Sequence, residues 1–385
     1  MRSVLVAVAV VAVFAVAGSS TAASSAGGGC SKGTYRSLVL VSARTGAIDR
    51  AFPNPNGGVN VVLADGHGGW FVAGVFNCIG RVKTNDLAHL HADGTLDAAF
   101  KPQLPAGRQL DNPDDSPLAL GRLGTTLYVA GSFGVVALDA TTGALRWRTP
   151  VSGAGSATRV LALAASKQRV FAGGDFSNVG GKAHPSLVAL SPRTSKLLPW
   201  RTPSLAAKPL MGPIVSIGAL ALDQGRLFIG SDGLKSVAGK PRDSIAILDA
   251  QSGRLTSWTA PQAHGRSLIG DVATILVTHG RVFTAGHDGF GITNEQTGAL
   301  DPLNHETGGY RFAVSGDIVY LAGNCRNSFS VIERQPRNNL AALDFAAGGR
   351  VTRWAPNIAK YTCVDDLAAG PDQVIVAGSF TATLN

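Results

Sequence analysis

Two stretches of the chain say nearly the same thing: "LYVAGSFGVVALDATTGALRW" (Leu127–Trp147) and "RVFAGGDFSNVGGKAHPSLVALSPRTSKLLPW" (Arg169–Trp200). Each starts with a short apolar run ending in glycine. A connection of variable length follows, then a second apolar run, a polar turn and a tryptophan. Runs rich in Val, Ile, Phe and Tyr, bounded by turn residues, are strand signals. Recurrence at a fixed scale is the signature of a repeat architecture.

The glycine-ended run recurs as "FVAG" (Gly74), "YVAG" (Gly131), "FAGG" (Gly173), "LFIG" (Gly230), "FTAG" (Gly286), "YLAG" (Gly323) and "IVAG" (Gly378). A turn and another apolar run precede each, as in "IGALAL" or "VATILV", so each run closes a β-hairpin. A second hairpin follows, with turns such as "DATTG", "DAQSG" and "NEQTG". Asp139, Asp249, Asp344, Asn294, Ser191 and Ser42 open six of these turns, where short polar side chains bond to nearby backbone. Gly46, Gly143, Gly253 and Gly298 supply the left-handed backbone that closes four of them, and Ser195 is a departure. An aromatic residue with a nearby proline comes next: Phe52/Pro53, Phe100/Pro102, Trp147/Pro150, Trp200/Pro203, Trp258/Pro261 and Trp354/Pro356. The unit after Gly286 lacks the aromatic. Four short strands cannot bury both faces alone, but sheets stacked radially can. The recurring tryptophans therefore read as packing between sheets.

The ends of the chain set the count. It finishes at "VIVAGSFTATLN", a first hairpin, and enters its repeats at "YRSLVLVSARTGAIDRAF", a second hairpin. Joined, they make a seventh unit. The expectation is an all-β protein: a seven-bladed β-propeller of four-stranded antiparallel blades. Pairing of the 36–42 strand with the 374–380 hairpin would close the ring. Closure removes the open edges that invite aggregation.

Composition agrees. Apolar residues are 45% and charged residues 15%, so the chain can bury a core. Only three glutamates occur, Glu295, Glu306 and Glu333, against many aspartates, which disfavours helices. Residues 1–26 read as a secretory signal: Arg2, an apolar run from Val4 to Ala17, then small residues. That run is too short to cross a bilayer, which takes about 20 residues. Residues 27–385 are then a single propeller domain, exported from a bacterial cell, extracellular or wall-associated. A monomer is expected, with no membrane contact after signal cleavage. The net charge of +9 suits acidic polymers or simply a solvated basic surface. No dense basic run with interleaved aromatics points to nucleic acid.

Several segments resemble known propeller repeats. "LAHLHADGTLDAAFKP" (Leu87–Pro102) is similar to the delta-60 repeat of bacterial β-propellers through Asp93, Gly94, Leu96, Asp97 and Phe100. "VVALDATTGALRW" (Val135–Trp147) resembles the repeat of pyrroloquinoline-quinone-type (PQQ) propellers. The resemblance implies the fold. It also raises a quinone-type oxidoreductase, with calcium or PQQ as cofactor. The adjacent cysteine pair and Glu-Asn-Asp calcium set usual in those enzymes have no counterpart here.

No nucleophile elbow, zinc helix or C-x-x-C motif is present. His89 and His91 share a face of one strand and are a candidate metal pair; ordinary blade positions are the alternative. Ligand binding is expected at the channel mouth, where Asn60, Arg159, Asp271, Asp365 and Asp366 stand at the starts of innermost strands. Two function classes follow. One is a secreted binding module for an unknown small molecule, glycan or protein, without cofactor. The other is a propeller enzyme, a quinone-type oxidoreductase or a hydrolase or lyase. The absence of catalytic spacing favours the first. Cys30, Cys78, Cys325 and Cys363 are an even set in an exported chain, so disulfides are expected over free thiols. The blade register places all four on one face and pairs Cys30–Cys78 and Cys325–Cys363.

Overall fold

The computed structural model describes residues 30, 36–105, 116–153, 158–208, 214–231, 233–263, 266–267, 272–286, 290–305, 310–323, 331–332, 334–358 and 363–380. The signal segment, Asp271 and Cys325 lie outside them.

Among these residues seven main antiparallel sheets of three or four strands follow one another along the chain, with smaller ribbons between their strands. Sheet I has β1 (Gly58–Ala64), β2 (Trp70–Val75) and β3 (Leu87–Leu90). Sheet II has β4 (Pro117–Leu123), β5 (Thr126–Gly131), β6 (Gly134–Asp139) and β7 (Leu145–Thr149). Sheet III has β8 (Arg159–Ala165), β9 (Val170–Asp175) and β10 (Leu187–Leu190). Sheet IV has β11 (Ala219–Asp223), β12 (Arg226–Gly230) and β13 (Ile245–Asp249). Sheet V has β14 (Thr274–Thr278), β15 (Arg281–Ala285) and β16 (Phe290–Asn294). Sheet VI has β17 (Arg311–Ser315), β18 (Ile318–Ala322), β19 (Leu340–Asp344) and β20 (Arg350–Val351). Sheet VII joins β21 (Cys363–Ala369) and β22 (Gln373–Phe380) to the chain's opening strand, Arg36–Ser42, and to Ile48–Asp49.

The expected pairing of the two ends is present. Arg36–Ser42 runs antiparallel to β22, with Leu38 opposite Ala377 and Ser42 opposite Gln373. Each first strand lies against the first strand of the next sheet, from β1 through β4, β8, β11, β14 and β17 to β21, and β21 lies against β1.

The expectation of four strands per sheet needs correction. In sheets I, III, IV and V the fourth strand is reduced to one bridge, such as Leu190 with Leu197 or Leu248 with Leu255. In six of the seven sheets, whether or not the fourth strand is complete, the chain then leaves its own sheet to seat an aromatic residue on the next one. Trp147, Trp258 and Trp354 are buried, and their indole N–H groups donate across the joint to Pro192 O (3.3 Å), Asn294 O (3.4 Å) and Ser42 O (2.8 Å).

Turn glycines receive these segments. A Cβ on Gly143 would stand 2.6 Å from Pro102 N, on Gly253 2.0 Å from Arg201 O, on Gly298 2.1 Å from Thr259 O, and on Gly94 2.7 Å from Pro53. All four have positive φ. The sequence's two departures are resolved at the same joints. Ser195 replaces the glycine where Thr149 Oγ1 donates to its carbonyl (3.0 Å). Leu303 fills the slot of the missing aromatic and packs over Gly349.

The strand-end glycines serve a different need. In sheets I, II, III and VII the first strand carries a β-bulge, and its carbonyl presses on the glycine opposite. Added Cβ atoms on Gly74, Gly131, Gly174 and Gly378 would meet Gly58 O, Ser116 O, Arg159 O and Cys363 O at 2.2, 2.5, 2.2 and 2.0 Å. The register shifts two of the sequence-derived positions by one residue. Gly174, not Gly173, faces the bulge in sheet III, and Ser231 holds the equivalent place in sheet IV. Gly74, Gly174, Ser231 and Gly323 each donate their N–H to Asp86, Ser186, Ser244 and Asn339 (2.9–3.0 Å), four residues at positive φ. Gly173 and Gly230 instead admit Ile217 and Val272 of the following sheets.

The connections between second and third strands, expected to be variable loops, are ordered two-stranded ribbons in four sheets. They are Cys78–Ile79 with Val82–Lys83, Asn178–Val179 with Lys182–Ala183, Leu234–Val237 with Lys240–Pro241, and Val331–Ile332 with Gln335–Pro336. Chain leaving the preceding sheet adds a third strand: Val151–Ser152 on the sheet III ribbon and Leu205–Ala207 on the sheet IV ribbon. Pro55 bridges Ile79 in the same way. Arg242 and Arg337, buried at two ribbon bases, donate to Pro241 O (2.7 Å) and Pro336 O (2.6 Å), and onward to Thr256 O and Thr352 O.

Cys30 and Cys78 form a disulfide, tying the segment before the first strand to the sheet I ribbon. Cys363 is also disulfide-bonded. Its expected partner Cys325 lies outside the described residues.

Glycine at the bulge is testable. Gly378→Ala drives a methyl into Cys363 O and should destabilise by about 1–3 kcal/mol. Gly58→Ala, with nothing within 4 Å of the new methyl, should change little. Urea unfolding of both variants checks this; equal midpoints contradict the bulge account.

Candidate functional site

One position on each innermost strand is set by register: the residue opposite Ala73, Ala130, Gly173, Gly230, Ala285, Ala322 or Ala377. It is Val61, Ala119, Ala162, Ala219, Thr274, Arg311 and Asp366 in sheets I to VII. Small apolar residues occupy four sheets, and Thr-Arg-Asp occupies the last three. Arg311 is 1% exposed. Its Nε donates to Asp365 O (2.7 Å) and its Nη1 to Thr274 Oγ1 (2.7 Å) and Tyr310 O (3.1 Å). The guanidinium also lies 4.2 Å from the Tyr310 ring centre. Asp366 is 2% exposed; one oxygen accepts from Val62 N (2.9 Å). Its other oxygen is buried with no hydrogen-bond partner among the described residues.

Five consecutive inner strands are thereby linked. Arg311 spans sheets V, VI and VII, Asp366 joins VII to I, and Asn60 joins I to II by donating to Ser116 Oγ (2.7 Å) and Pro117 O (3.2 Å). Arg159 is bonded through Nε to Asp175 Oδ2 (3.3 Å) in its own sheet. Of the five residues expected at the mouth, Asp365 and Asp366 share one cluster. Asn60 and Arg159 lie on other sheets, and Asp271 is not described. Arg311 and Thr274 were missed. The visible signal was an arginine in "YRFAVSG", where equivalent runs such as "ALAL" hold small apolar residues.

Burial pushes the Asp366 carboxyl up to about 7, partly opposed by the Arg311 charge and the Val62 and Leu367 N–H groups. Asp365 stands at the sheet VII bulge. It is exposed to solvent; the neighbouring strands push it up to about 6 against the pull of Arg311, but water screens that shift, and the buried Asp366 is the group that sets the pH dependence.

His89 is not free to take a metal. Its Nδ1 pairs with Asp97 Oδ2 (2.9 Å) and its Nε2 with Asp65 Oδ2 (3.0 Å), and the ring stacks on Phe71 at 4.6 Å. Both ring nitrogens are committed to carboxylates of the same sheet. Among the described residues no group of three candidate ligands occurs. Among the described mouth residues the Arg311 guanidinium and one Asp366 oxygen are engaged by neighbouring strands, and no glutamate stands with them.

The family described as outer membrane protein assembly factor BamB matches residues 110–355. The chain belongs to this family. It is thus a β-propeller of the PQQ type, as the "VVALDATTGALRW" segment suggested. No curated protein matches the chain. Among solved structures, a chain of the mitotic checkpoint complex superposes with a TM-score of 0.52 at 14% identity, covering 91% of this chain and 96% of that one. BamB from Moraxella catarrhalis gives 0.35 at 13% identity, covering 90% and 100%. The extracellular domain of a hybrid two-component system from B. thetaiotaomicron gives 0.47 at 12%, covering 83% and 40%. At these identities the likeness concerns fold alone.

The buried Asp366 carboxyl sets a pH dependence. Unfolded aspartate ionises near 4, whereas native Asp366 keeps its proton to about 7. Between these values the native state binds more protons. The associated stability is full below about 4 and is lost as pH rises through 7. The loss should be roughly 2–4 kcal/mol. Asp139 acts oppositely and in another window. Bonds from Thr142 and Arg146 hold it down at about 2, so its contribution is lost only in stronger acid. Urea midpoints should therefore fall between pH 5 and pH 8 in the parent protein. Asp366→Asn should remove most of that slope; an unchanged slope contradicts the assignment.

Proposed function

We propose that this chain is an exported, seven-bladed, closed propeller that works as a binding module through the face bearing its ribbons. The observation that carries the reading is the placement of the ribbons. They recur in sheets I, III, IV and VI between second and third strands, and strand alternation puts those connections beside the starts of the inner strands. Four ribbons and the channel mouth thus share one end of the molecule. An interaction surface on projections from a rigid scaffold is where binding function concentrates.

Seven interlocking joints and the paired chain ends support the closed ring. Export is supported by the signal-like start and by the Cys30–Cys78 disulfide, a bond of oxidising compartments. The mouth residues Asn60, Arg159, Asp271, Asp365 and Asp366 belong to the same proposed surface, with a small molecule, glycan or protein as ligand. The half-satisfied carboxyl of Asp366 is the group there with bonding capacity to spare.

Hydrogen exchange of the mature protein, alone and with the extracytoplasmic fraction of its source cell, tests both parts. Protection should appear at 78–84, 178–184, 234–242 and 331–337, and not at the 139–145 or 249–255 turns. Protection confined to those turns overturns the ribbon-face reading. Amides of 36–42 and 373–380 should exchange as slowly as those of 159–165; fast exchange at this seam overturns the closed ring.

A further inference from the structure

The ribbon tips carry a charge pattern that the fold does not use. Arg81 and Lys83 project from sheet I, Lys182 from sheet III, Lys235 and Lys240 from sheet IV, and Arg334 from sheet VI, all exposed. Their side chains make no hydrogen bond or ion pair among the described residues. Cations elsewhere on the ribbons are consumed: Arg242 and Arg337 are buried on backbone carbonyls. The carboxylates at the ribbon bases are neutralised or hidden. Asp243 pairs with Lys208 (2.8 Å), Asp175 pairs with Arg159 (3.3 Å), and Asp86 is buried. At the other end of the molecule two turns mix both signs, with Arg146 on Asp139 (2.7 Å) and Arg254 in the turn opened by Asp249, while the Ser191–Lys196 turn carries cations alone.

We propose that the ribbon tips bind an anionic polysaccharide, whose spaced carboxylate or sulfate groups bridge tips of neighbouring sheets. This rests on the ribbon-face reading above and names its partner by chemistry. The cations sit singly on short, hydrogen-bonded turns of different sheets, so a repetitive polymer can engage several while a small anion engages one. The described tips hold no aromatic side chain on which a nucleobase could stack. Val82, 52% exposed, is the large apolar residue on them, and one valine is little to insert into a bilayer.

The test uses the mature protein with polygalacturonate and heparin as probes, dextran as the neutral control, and vesicles of anionic phospholipid. Arg81→Gln, Lys83→Gln, Lys182→Gln and Lys240→Gln are combined in one variant. Lys167→Gln, Arg193→Gln, Lys196→Gln and Arg254→Gln, at the other end, form a comparator with the same charge removed. All eight side chains are exposed, and unchanged melting temperatures confirm intact folds. The ribbon variant should bind both polyanions about tenfold or more weakly, with a shallower salt dependence as fewer counterions are released. The comparator should change by less than about twofold. Equal losses in both variants, no polyanion binding by the parent, or preference for vesicles overturns the proposal. A ribbon footprint that persists without polyanion binding rejects the polysaccharide alone. A footprint at the other end rejects the ribbon-face reading itself.

Discussion

Every sheet in this chain depends on a contact that its own residues cannot complete. The turn between third and fourth strands is closed by a glycine with positive φ, and the space a side chain would need is filled by the sheet before. Phe52 and Pro53 press on Gly94, Pro102 on Gly143, Trp200 and Arg201 on Gly253, Thr259 on Gly298. The turn glycine and the aromatic–proline pair, which look like two separate features of each unit, are the two halves of one joint. Stability is then shared between neighbouring sheets, as in other repeat proteins where neighbours bury each other's faces. The joint also tolerates exchange of parts: Leu303 stands in for an aromatic, and a hydroxyl–carbonyl bond at Ser195 replaces a close backbone approach.

The inner strands add a second constraint, and it is unevenly spread. Four of seven equivalent positions hold small apolar residues, while Thr274, Arg311 and Asp366 place a charged network beside the sheet that contains both chain ends. Burying charge costs several kcal/mol per ion unless hydrogen bonds compensate. Arg311 is compensated by three acceptors, whereas Asp366 is compensated at one oxygen only. The network lies where an apolar contact would serve less well to fix which strands meet. An arginine that must find the Asp365 carbonyl and the Thr274 hydroxyl together discriminates between registers in a way that interchangeable alanines do not.

The ribbons extend the same logic outward. Three of the four, in sheets I, III and IV, are braced by chain leaving the preceding sheet, so their tips are held by two sheets rather than one. The buried Arg242 and Arg337 lock two ribbon bases to the carbonyls of Thr256 and Thr352. A rigid base with a charged, unpartnered tip is suited to contact with something outside the molecule. At the other end some of the cations are engaged in joints, such as Arg169 with Gln251 O (3.2 Å).

The sequence by itself determined the repeat, the strand pairs, the composite sheet made by the two chain ends, and the Cys30–Cys78 bond. These follow from local patterns of apolar runs and turn residues, and from where the repeat is cut at the two ends of the chain. Tertiary structure alone decided which glycine mattered. In "FAGG" and "LFIG" the apolar pattern cannot tell the residue facing a bulged carbonyl from the one facing the next sheet, because that depends on strand register. It also decided that His89 is tied between Asp65 and Asp97, and that Arg159 turns to its own sheet. Only the fold brought Arg311 beside Asp365 and Asp366, 54 residues apart at the Asp365 contact. Side chains drawn one by one from successive sheets meet only once the sheets are packed together, and no spacing along the chain encodes that meeting.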